Sequence, residues 1–453
     1  IYKLISVDYT IEDGQLFQLL KRQCLHGVLS GFKYLVDTRV YPKKKEYIFK
    51  QRDENGCILL HYAACGGNIL ILNEILKIAS EKVLEYKCIR GQDALHFAIR
   101  YKQKDMTDYL IQKYSLLSTT IQENMHATNS NTSNYDNNMF EMFAIVHWVA
   151  WLGDVRLLAS LKQNNFDISL KTRNGLNILD LACMKKETEA SEGEFEFCLH
   201  LLNNEAENID PSKTDASGWT IAHYASLSNI RLLKYMAANK KFRYLIMEKT
   251  NSLKTCLHIA CEFAKHETVK FIAKNFETLL QVEDELGWNA LHFAAKGGNL
   301  DTLRYLLSKK CMKIDCRTKD GKTLLHIACI FKQTSICEFV VSEFSEELLN
   351  AKTDKYHLTA AHYLGVEKKE DESETKIFEI LAGSKMKLSA KSSKGLSVLD
   401  FAIDHLNREL VTCMVKTKYR EKLGLNPTIL ARCKENTKDD EIKRILQTAI
   451  DDV

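Results

Sequence analysis

Gly287-Trp288-Asn289-Ala290-Leu291-His292-Phe293-Ala294-Ala295 is the stretch that decides the fold, because the chain repeats its pattern many times. The pattern is a glycine, a residue able to cap a helix, a small or apolar pair, Leu-His, and then alanine. Clear copies occur at 56–64, 91–98, 218–225, 253–260 and 321–328, and weaker ones at 143–150, 175–182, 357–363 and 395–402. The residue at the histidine position of each copy, which we call the anchor, is His61, His96, His147, Asp180, His223, His258, His292, His326, His362 or Asp400.

The spacing of the anchors defines a repeat. Most successive anchors are 33 to 38 residues apart, with longer intervals of 51 residues before His147 and 43 residues before His223. A repeat of about 33 residues with this signature resembles the ankyrin repeat. The resemblance covers residues 53–418. It implies an all-α fold in which about ten helix-turn-helix pairs form an elongated ankyrin-repeat solenoid, a superhelix with short β-hairpin turns.

The repeats and the stretches between them divide the chain into segments. The ends lack the motif but show apolar residues at helical spacing, so we expect helical caps there. The surplus residues between repeats are polar or charged, and the longest is rich in Asn and Ser, so we expect surface insertions. The expected segments are 1–52 (N-terminal helical cap), 53–117 (repeats 1–2), 118–140 (flexible insertion), 141–418 (repeats 3–10, with insertions near 185–193 and 367–374) and 419–453 (C-terminal helical cap).

The charge and hydropathy patterns narrow the range of partners. The net charge is +4, from 63 basic and 59 acidic residues. A nucleic-acid-binding protein needs lysine and arginine clustered on one face, so we expect no nucleic acid partner. The longest uncharged apolar stretch, 142–153, is far shorter than the ~20 residues of a membrane span, so we expect no membrane contact by this segment. The chain begins at Ile1 rather than Met, which suggests an excerpt from a longer protein or a processed start.

The cysteines favour a reduced, cytoplasmic protein. There are 14 cysteines, none in a CxxC pair, and many fall in predicted helices where small buried residues belong. Free cysteine behaves as a small hydrophobic residue in a core. We therefore expect thiols rather than a disulfide framework.

The anchor histidines are expected to be structural. They recur about one repeat apart, which is ~10 Å by helix-packing distances, whereas zinc needs its ligands within ~2.1 Å of one point. In ankyrin repeats this side chain bridges turn backbones. The motifs of phosphate-binding loops, zinc proteases and serine hydrolases are absent. We therefore expect no metal site, no cofactor and no catalytic residue, and the chain is not expected to be an enzyme.

The resemblance also indicates where a partner would bind. Ankyrin-repeat proteins commonly dock partners on the concave face made by the turn tips and the edges of the first helices. In this chain those positions carry aromatic residues and lysines, which protein interfaces use as anchors and rims. The candidate partner-binding residues are Trp219, Lys254, Phe263, Trp288, Lys296, Lys322 and Phe331, with Leu227, Glu262 and Ile330 at further positions of the same face. Replacing Trp288 by alanine is expected to weaken a partner while leaving melting nearly unchanged.

Two functions fit these observations. The first is a non-catalytic, cytoplasmic scaffold that binds another protein, or another domain of its parent chain, through the concave face. The alternative is the cytosolic ankyrin array of a transient receptor potential (TRPA-like) cation channel. Hydrophobic spans of ~20 residues beyond Val453 would identify the channel. An enzyme that recruits substrate through its repeats would instead show a catalytic motif outside this segment.

Overall fold

The computed structural model describes residues 12–41, 44–115, 144–184, 192–204, 209–364 and 372–452. Over these ranges the chain is helical and contains no β-strand. It divides into two compact units, residues 1–216 and 217–453. The all-α prediction is therefore confirmed for the described residues. The expected hairpin turns are present as loops. Each loop forms only a few backbone hydrogen bonds, so none of them counts as a β-strand.

The first unit consists of three helices followed by helix pairs. The three N-terminal helices are Asp13–His26, Leu29–Thr38 and Lys45–Lys50. In each later pair the first helix carries the anchor: Leu59–Gly66 with Ile69–Ala79, Ala94–Arg100 with Lys104–Ser115, Ile145–Leu152 with Val155–Gln163, and Ile178–Cys183 with Glu192–Asn204. The helix Asp13–His26 packs directly on the first helix Leu59–Gly66, so it covers the open side of the first repeat.

The second unit contains the most regular pairs. They are Ile221–Ser228 with Ile230–Ala238, Cys256–Glu262 with His266–Asn275, Ala290–Gly297 with Leu300–Leu307, Leu324–Ile330 with Thr334–Glu343, the 3₁₀-helix Ala360–Tyr363 with Glu372–Gly383, and Val398–Asp404 with Arg408–Met414. Short helical turns at Arg243–Met247, Glu277–Gln281 and Glu346–Leu349 connect some pairs. The helices Thr417–Leu423, Pro427–Asn436 and Asp440–Asp451 end the unit, and the last of them packs on Arg408–Met414.

Several first helices begin with a reciprocal cap, formed at Asp93, Asn177, Thr255, Asn289 and Ser397. The Asn289 Oδ1 atom accepts hydrogen bonds from the backbone N–H groups of Leu291 at 3.0 Å and His292 at 3.3 Å. In return, the Asn289 N–H donates to His292 Nδ1 at 3.2 Å. Three backbone N–H groups near the helix start thereby find partners, which explains why a capping residue and an anchor recur together.

The turn before most first helices carries a glycine, and Leu253 and His357 adopt the same left-handed conformation in two other turns. At Gly287 the backbone has φ +75°, a left-handed conformation that glycine adopts without strain. A Cβ atom there would also lie 2.8 Å from the backbone nitrogen of Lys319 in the next turn. The two turns are joined by a hydrogen bond from the Lys319 N–H to the Leu286 carbonyl at 3.1 Å. Close approach of successive turns therefore depends on the missing side chain.

Small residues allow the first helices to pack closely. Ala260, Ala294 and Ala328 are fully buried where neighbouring first helices meet. The second helices cover the other side with an apolar stripe, as shown by the fully buried Leu303 and Leu306. The core of each unit is therefore a continuous layer between first and second helices, which is how repeat proteins bury apolar surface.

The cysteines lie where the sequence predicted them. All 14 are free, and only Cys311 is exposed and Cys316 half-buried. Burial raises the pKa of the Cys256 thiol to about 12. The buried cysteines thus act as small apolar residues of the helix interfaces.

The proposed insertions fall largely outside the described residues. This holds for all of 118–140. Of 185–193 only Glu192 and Gly193 are described, and they begin the helix Glu192–Asn204. Of 367–374 only Glu372–Glu374 are described, and they begin the helix Glu372–Gly383. None of the helices in the described ranges has both the length and the apolarity needed to cross a lipid bilayer.

Candidate functional site

All seven candidate residues lie in the second unit, where the turns meet the first helices. Phe263 is the most accessible of them, with 50% of its surface exposed. The other six are half-buried: Trp219, Lys254, Trp288, Lys296, Lys322 and Phe331. The structure therefore leaves these side chains partly accessible while holding most of them against their neighbours.

Trp288 is the centre of the aromatic contacts. Its backbone N–H donates to Asp284 Oδ1 at 2.8 Å, which fixes the backbone from which the ring projects. Its ring centroid lies 5.4 Å from that of Phe293 in its own repeat and 6.2 Å from that of Phe331 in the next. The second pair is edge-to-face, and such pairs contribute about 0.5–1.5 kcal/mol beyond their buried area. Trp288 thus joins two repeats.

Glu262 holds two of the candidate lysines. Its Oε2 atom lies 3.0 Å from Lys254 Nζ, and its Oε1 atom lies 2.5 Å from Lys296 Nζ. Lys254 Nζ also lies 5.0 Å from the centroid of the Phe293 ring, and Lys296 Nζ lies 4.9 Å from that of Phe331. Each ammonium group is therefore placed over an aromatic face by a shared carboxylate, an arrangement that favours cation–π attraction.

The two lysines also determine the charge of this site. Burial acts to raise the pKa of Glu262, but the hydrogen bonds from Lys296 and Lys254 outweigh it, so the pKa is lowered below its ordinary value. The carboxyl group is consequently ionised at neutral pH. The Glu262 carboxylate faces the two ammonium groups, and the turn that carries Trp288 adds the acidic residues Glu283, Asp284 and Glu285 nearby.

We call the set Lys254, Phe263, Trp288, Lys296 and Phe331 the Trp288 surface. The structure brings four of its members together through Glu262 and Phe293, and Phe263 follows Glu262 directly in the chain. Within the described residues Phe263 takes part in no ring pair and no cation–π contact, so its exposed ring has no intramolecular role that the geometry reveals.

The remaining two candidate residues have other neighbours. Lys322 pairs with Asp320 in its own turn, and its Nζ atom lies 6.0 Å from the Tyr363 ring centroid. The Trp219 ring centroid lies 5.0 Å from that of Tyr224 in its own repeat. Trp219 and Lys322 occupy the same position in their repeats as Trp288 does, four residues before the anchor. Along the chain, Trp219 precedes the Trp288 surface, and Lys322 belongs to the repeat that follows Trp288.

Phe293 and Tyr363 were missed in the sequence, although a signal was present. Both directly follow their anchors. The residue after the anchor is aromatic in seven of the ten copies: Tyr62, Phe97, Trp148, Tyr224, Phe293, Tyr363 and Phe401. Its recurrence at one position indicates a shared contact with the preceding repeat, as in the His258–Phe293 ring pair, whose centroids are 4.9 Å apart.

Comparison with known families identifies these units. The family model described as ankyrin repeats matches three overlapping copies, over residues 188–281, 233–320 and 257–354. This is an ankyrin-repeat protein. The matched region contains the anchors His223, His258, His292 and His326, and therefore the whole Trp288 surface.

Two relatives of this ankyrin-repeat protein have curated descriptions. The chain is 25% identical over 331 residues to the human transient receptor potential cation channel subfamily A member 1, covering 71% of this chain and 27% of the channel. It is 23% identical over 205 residues to a probable 26S proteasome regulatory subunit, p28, of Saccharomyces cerevisiae, covering 44% of this chain and 86% of that subunit. The chain thus spans about a quarter of the channel's length.

The anchor histidines of this ankyrin-repeat protein connect successive repeats. His326 Nδ1 accepts a hydrogen bond from the Thr323 N–H at 3.2 Å, so the ring proton resides on Nε2. Nε2 then donates to the Leu358 carbonyl of the next repeat at 3.1 Å. His258 makes the equivalent bond to the Val282 carbonyl. The prediction of a bridging, structural role is confirmed by this geometry.

Burial keeps three of the anchor histidines neutral. It lowers the pKa of His258, His292 and His326 to about 4. At Asp180, which replaces histidine in one repeat, burial instead raises the carboxyl pKa to about 7. Among the described residues no group of His, Cys, Asp and Glu side chains is arranged to hold a metal ion.

Proposed function

We propose that this ankyrin-repeat protein is a non-catalytic scaffold of the cytoplasm that binds a partner protein through the Trp288 surface. Ankyrin repeats are protein-interaction modules. The observation that carries the proposal is Phe263. Its aromatic ring is half exposed beside the ion-paired cluster of Lys254, Glu262 and Lys296, and among the described residues it forms no ring pair or cation–π contact. Interface cores are enriched in such aromatic residues.

The remaining members of the surface support this role through rigidity. The rings of Trp288 and Phe331 are held by each other, and Glu262 holds Lys254 over the Phe293 ring and Lys296 over the Phe331 ring. A preformed surface loses less conformational entropy on binding than a mobile one. The partner would meet an aromatic centre with an edge of paired charges, so it would present an apolar patch flanked by polar groups.

The structure changes the choice of test residue. Because Trp288 packs on Phe293 and Phe331, its replacement by alanine removes contacts between repeats, and melting should fall rather than stay constant. Phe263→Ala removes an exposed ring, and surface substitutions of this kind change stability by about 0.5 kcal/mol or less. Loss of binding by this variant can therefore be attributed to the surface itself.

The experiment compares Phe263→Ala with Tyr244→Ala as a matched control. Tyr244 is also 50% exposed and aromatic, but it lies in the turn Arg243–Met247 that follows a second helix. We expect a partner captured by the parent protein to be lost by Phe263→Ala and retained by Tyr244→Ala, with equal melting temperatures. Equal capture by all three proteins would contradict the proposal.

The second candidate function is the ankyrin array of a cation channel. The match to the human channel over 71% of this chain favours it. In that case the Trp288 surface would contact another domain of the same polypeptide. Sequencing the transcript beyond the codon for Val453 tests this candidate: several hydrophobic spans of ~20 residues would support it, and an end without them would exclude it.

A further inference from the structure

The turns of the last three repeats carry an unbalanced positive charge. Arg317, Lys352 and Lys391 occupy the same position in successive turns, directly before Thr318, Thr353 and Ser392. The hydroxyl groups of these three residues accept equivalent hydrogen bonds from the backbone N–H groups of Lys322, Leu358 and Leu396, at 3.0, 3.0 and 3.1 Å. Because the turns share this geometry, the backbones of Arg317, Lys352 and Lys391 occupy equivalent positions in their turns.

The three turns lie side by side. The Asp354 N–H donates to the Asp320 carbonyl at 3.2 Å, and the Ser393 N–H donates to the Tyr356 carbonyl at 2.9 Å. The Lys352 ammonium group reaches the Lys391 carbonyl at 3.3 Å. Since each of these bonds crosses from one repeat to the next, the basic positions form one row.

We call Arg317, Lys352, Lys355, Lys391 and Lys394 the basic turn row. All five side chains are exposed. Among the described residues none of them has an acidic side chain within ion-pair distance; Lys352 hydrogen-bonds a carbonyl group and Lys355 lies over the Tyr356 ring. Exposed cations without counter-charges favour an anionic partner, since they repel one another in its absence.

Neighbouring charges define the ends of the row. Residues 385–394 contain four lysines and no acidic residue. In contrast, the turn of the His292 repeat carries Glu283, Asp284 and Glu285 and no basic residue. The positive field also reaches the anchors: burial lowers the pKa of His362, and the Lys352 charge lowers it further. A negatively charged ligand would thus be attracted from the His326 turn onward and repelled at the preceding turn.

We propose that the basic turn row binds an extended acidic peptide segment of a partner protein, with carboxylates at about every third residue. Successive repeats are ~10 Å apart. Three residues of an extended polyproline II segment span ~9 Å and complete one turn, so that every third side chain faces the same row. A peptide lying across the turns would therefore place one acidic side chain near each of Arg317, Lys352 and Lys391. Tyr356, which is 46% exposed between them, offers an aromatic surface to the intervening residues.

This inference is independent of the Trp288 surface. The probe is a fluorescein-labelled peptide of about twelve residues with glutamate at every third position, and fluorescence anisotropy measures its affinity for the whole chain. A second peptide of the same composition has its glutamates in one block. Vesicles of phosphatidylcholine with phosphatidylserine test the same cations against an anionic lipid surface.

The variant is Arg317→Gln/Lys352→Gln/Lys391→Gln, and the matched control is Lys240→Gln/Lys274→Gln/Lys310→Gln. The control removes the same charge from exposed positions elsewhere in the second unit. We expect the variant to weaken the periodic peptide at least about fivefold and the control less than about twofold, because each surface ion pair contributes little alone and three act together. Higher salt should reduce the difference.

Several outcomes would overturn the proposal. They are no detectable binding of the periodic peptide, equal loss in the variant and the control, and tighter binding of the block peptide. Binding of anionic vesicles without binding of the peptide would assign the row to a lipid surface instead. Phe263→Ala is expected to bind the peptide as the parent does, so failure of the Trp288 surface can be distinguished from failure of this row.

Discussion

At the scale of the residue, the anchor histidine shows why one side chain recurs so often. It accepts one hydrogen bond at Nδ1 and donates another at Nε2, and the rigid ring of neutral imidazole does both in fixed directions. His326 uses these bonds to connect the Thr323 N–H to the Leu358 carbonyl. Protonation would place a hydrogen on Nδ1, so the bond from the Thr323 N–H would be lost and a charge would be buried.

The anchors predict how stability depends on pH. The folded pKa of about 4 at His258, His292 and His326 lies below the ordinary value of 6.5. Between these values the unfolded chain binds protons that the folded chain does not. The free energy of unfolding should therefore be fully retained above about pH 6.5 and fall as the pH decreases towards 4, by at most about 3 kcal/mol for each such histidine.

Denaturant unfolding at a series of pH values measures this effect. The control is His326→Asn, whose amide oxygen can still accept from the Thr323 N–H but does not titrate in this range. We expect this variant to be less stable at neutral pH and to show a shallower pH dependence between 6.5 and 4. A parent protein whose stability rises on acidification would contradict the prediction.

Asp180 affects stability in the opposite direction. Its carboxyl pKa is raised in the folded chain, so it stabilises the fold at low pH, and this contribution is lost as the pH rises towards 7.

At the scale of the element, close packing of the first helices depends on positions without side chains. Gly297 ends one first helix, and a Cβ atom added to it would lie 2.4 Å from the Cys261 carbonyl oxygen of the preceding repeat. Gly383 ends a second helix, and a Cβ atom there would meet nothing within 4 Å. Both residues are helical, so they differ mainly in the space around them.

This difference predicts opposite effects of the same substitution. Gly297→Ala should destabilise the protein by about 1–3 kcal/mol, because backbone must move to relieve the contact. Gly383→Ala should be neutral or stabilising by up to about 1 kcal/mol, because alanine has the higher helix propensity. Chemical denaturation of the two variants measures both values. Equal effects would show that helix propensity, rather than the approach of the helices, determines stability at these positions.

The sequence predicts these elements better than it predicts their contacts. The capping residue, anchor and turn glycine lie within one repeat, so a local pattern reveals them, and Asn289 and His292 pair as expected. The contact of Trp288 with Phe331 joins residues 43 positions apart and depends on which side chains happen to face each other across the repeats. For that reason the sequence indicates the repeat position of Trp288, whereas its contact with Phe331 is identified by the structure.

At the scale of the whole molecule, the fold is a series of similar interfaces. Within each unit, first helices pack on the first helices of neighbouring repeats, as Ala290–Gly297 does on Cys256–Glu262 and Leu324–Ile330 in the second unit. The stability of such proteins is approximately a sum of terms for each repeat and for each nearest-neighbour interface. The sequence period was sufficient to predict this architecture, since every copy specifies the same pair of helices.

A nearest-neighbour architecture predicts that a local defect has a graded effect along the chain. In Gly297→Ala, amide hydrogen exchange should lose the most protection in Ala290–Gly297 and Cys256–Glu262, the two helices that meet at this glycine. The loss should be smaller in Val398–Asp404, three repeats away, and absent from Ile178–Cys183 in the first unit. Gly383→Ala serves as the control, with unchanged protection throughout. An equal loss in all helices would instead mean that the chain opens as one cooperative body, in which case interfaces between neighbours would not be the units of its stability.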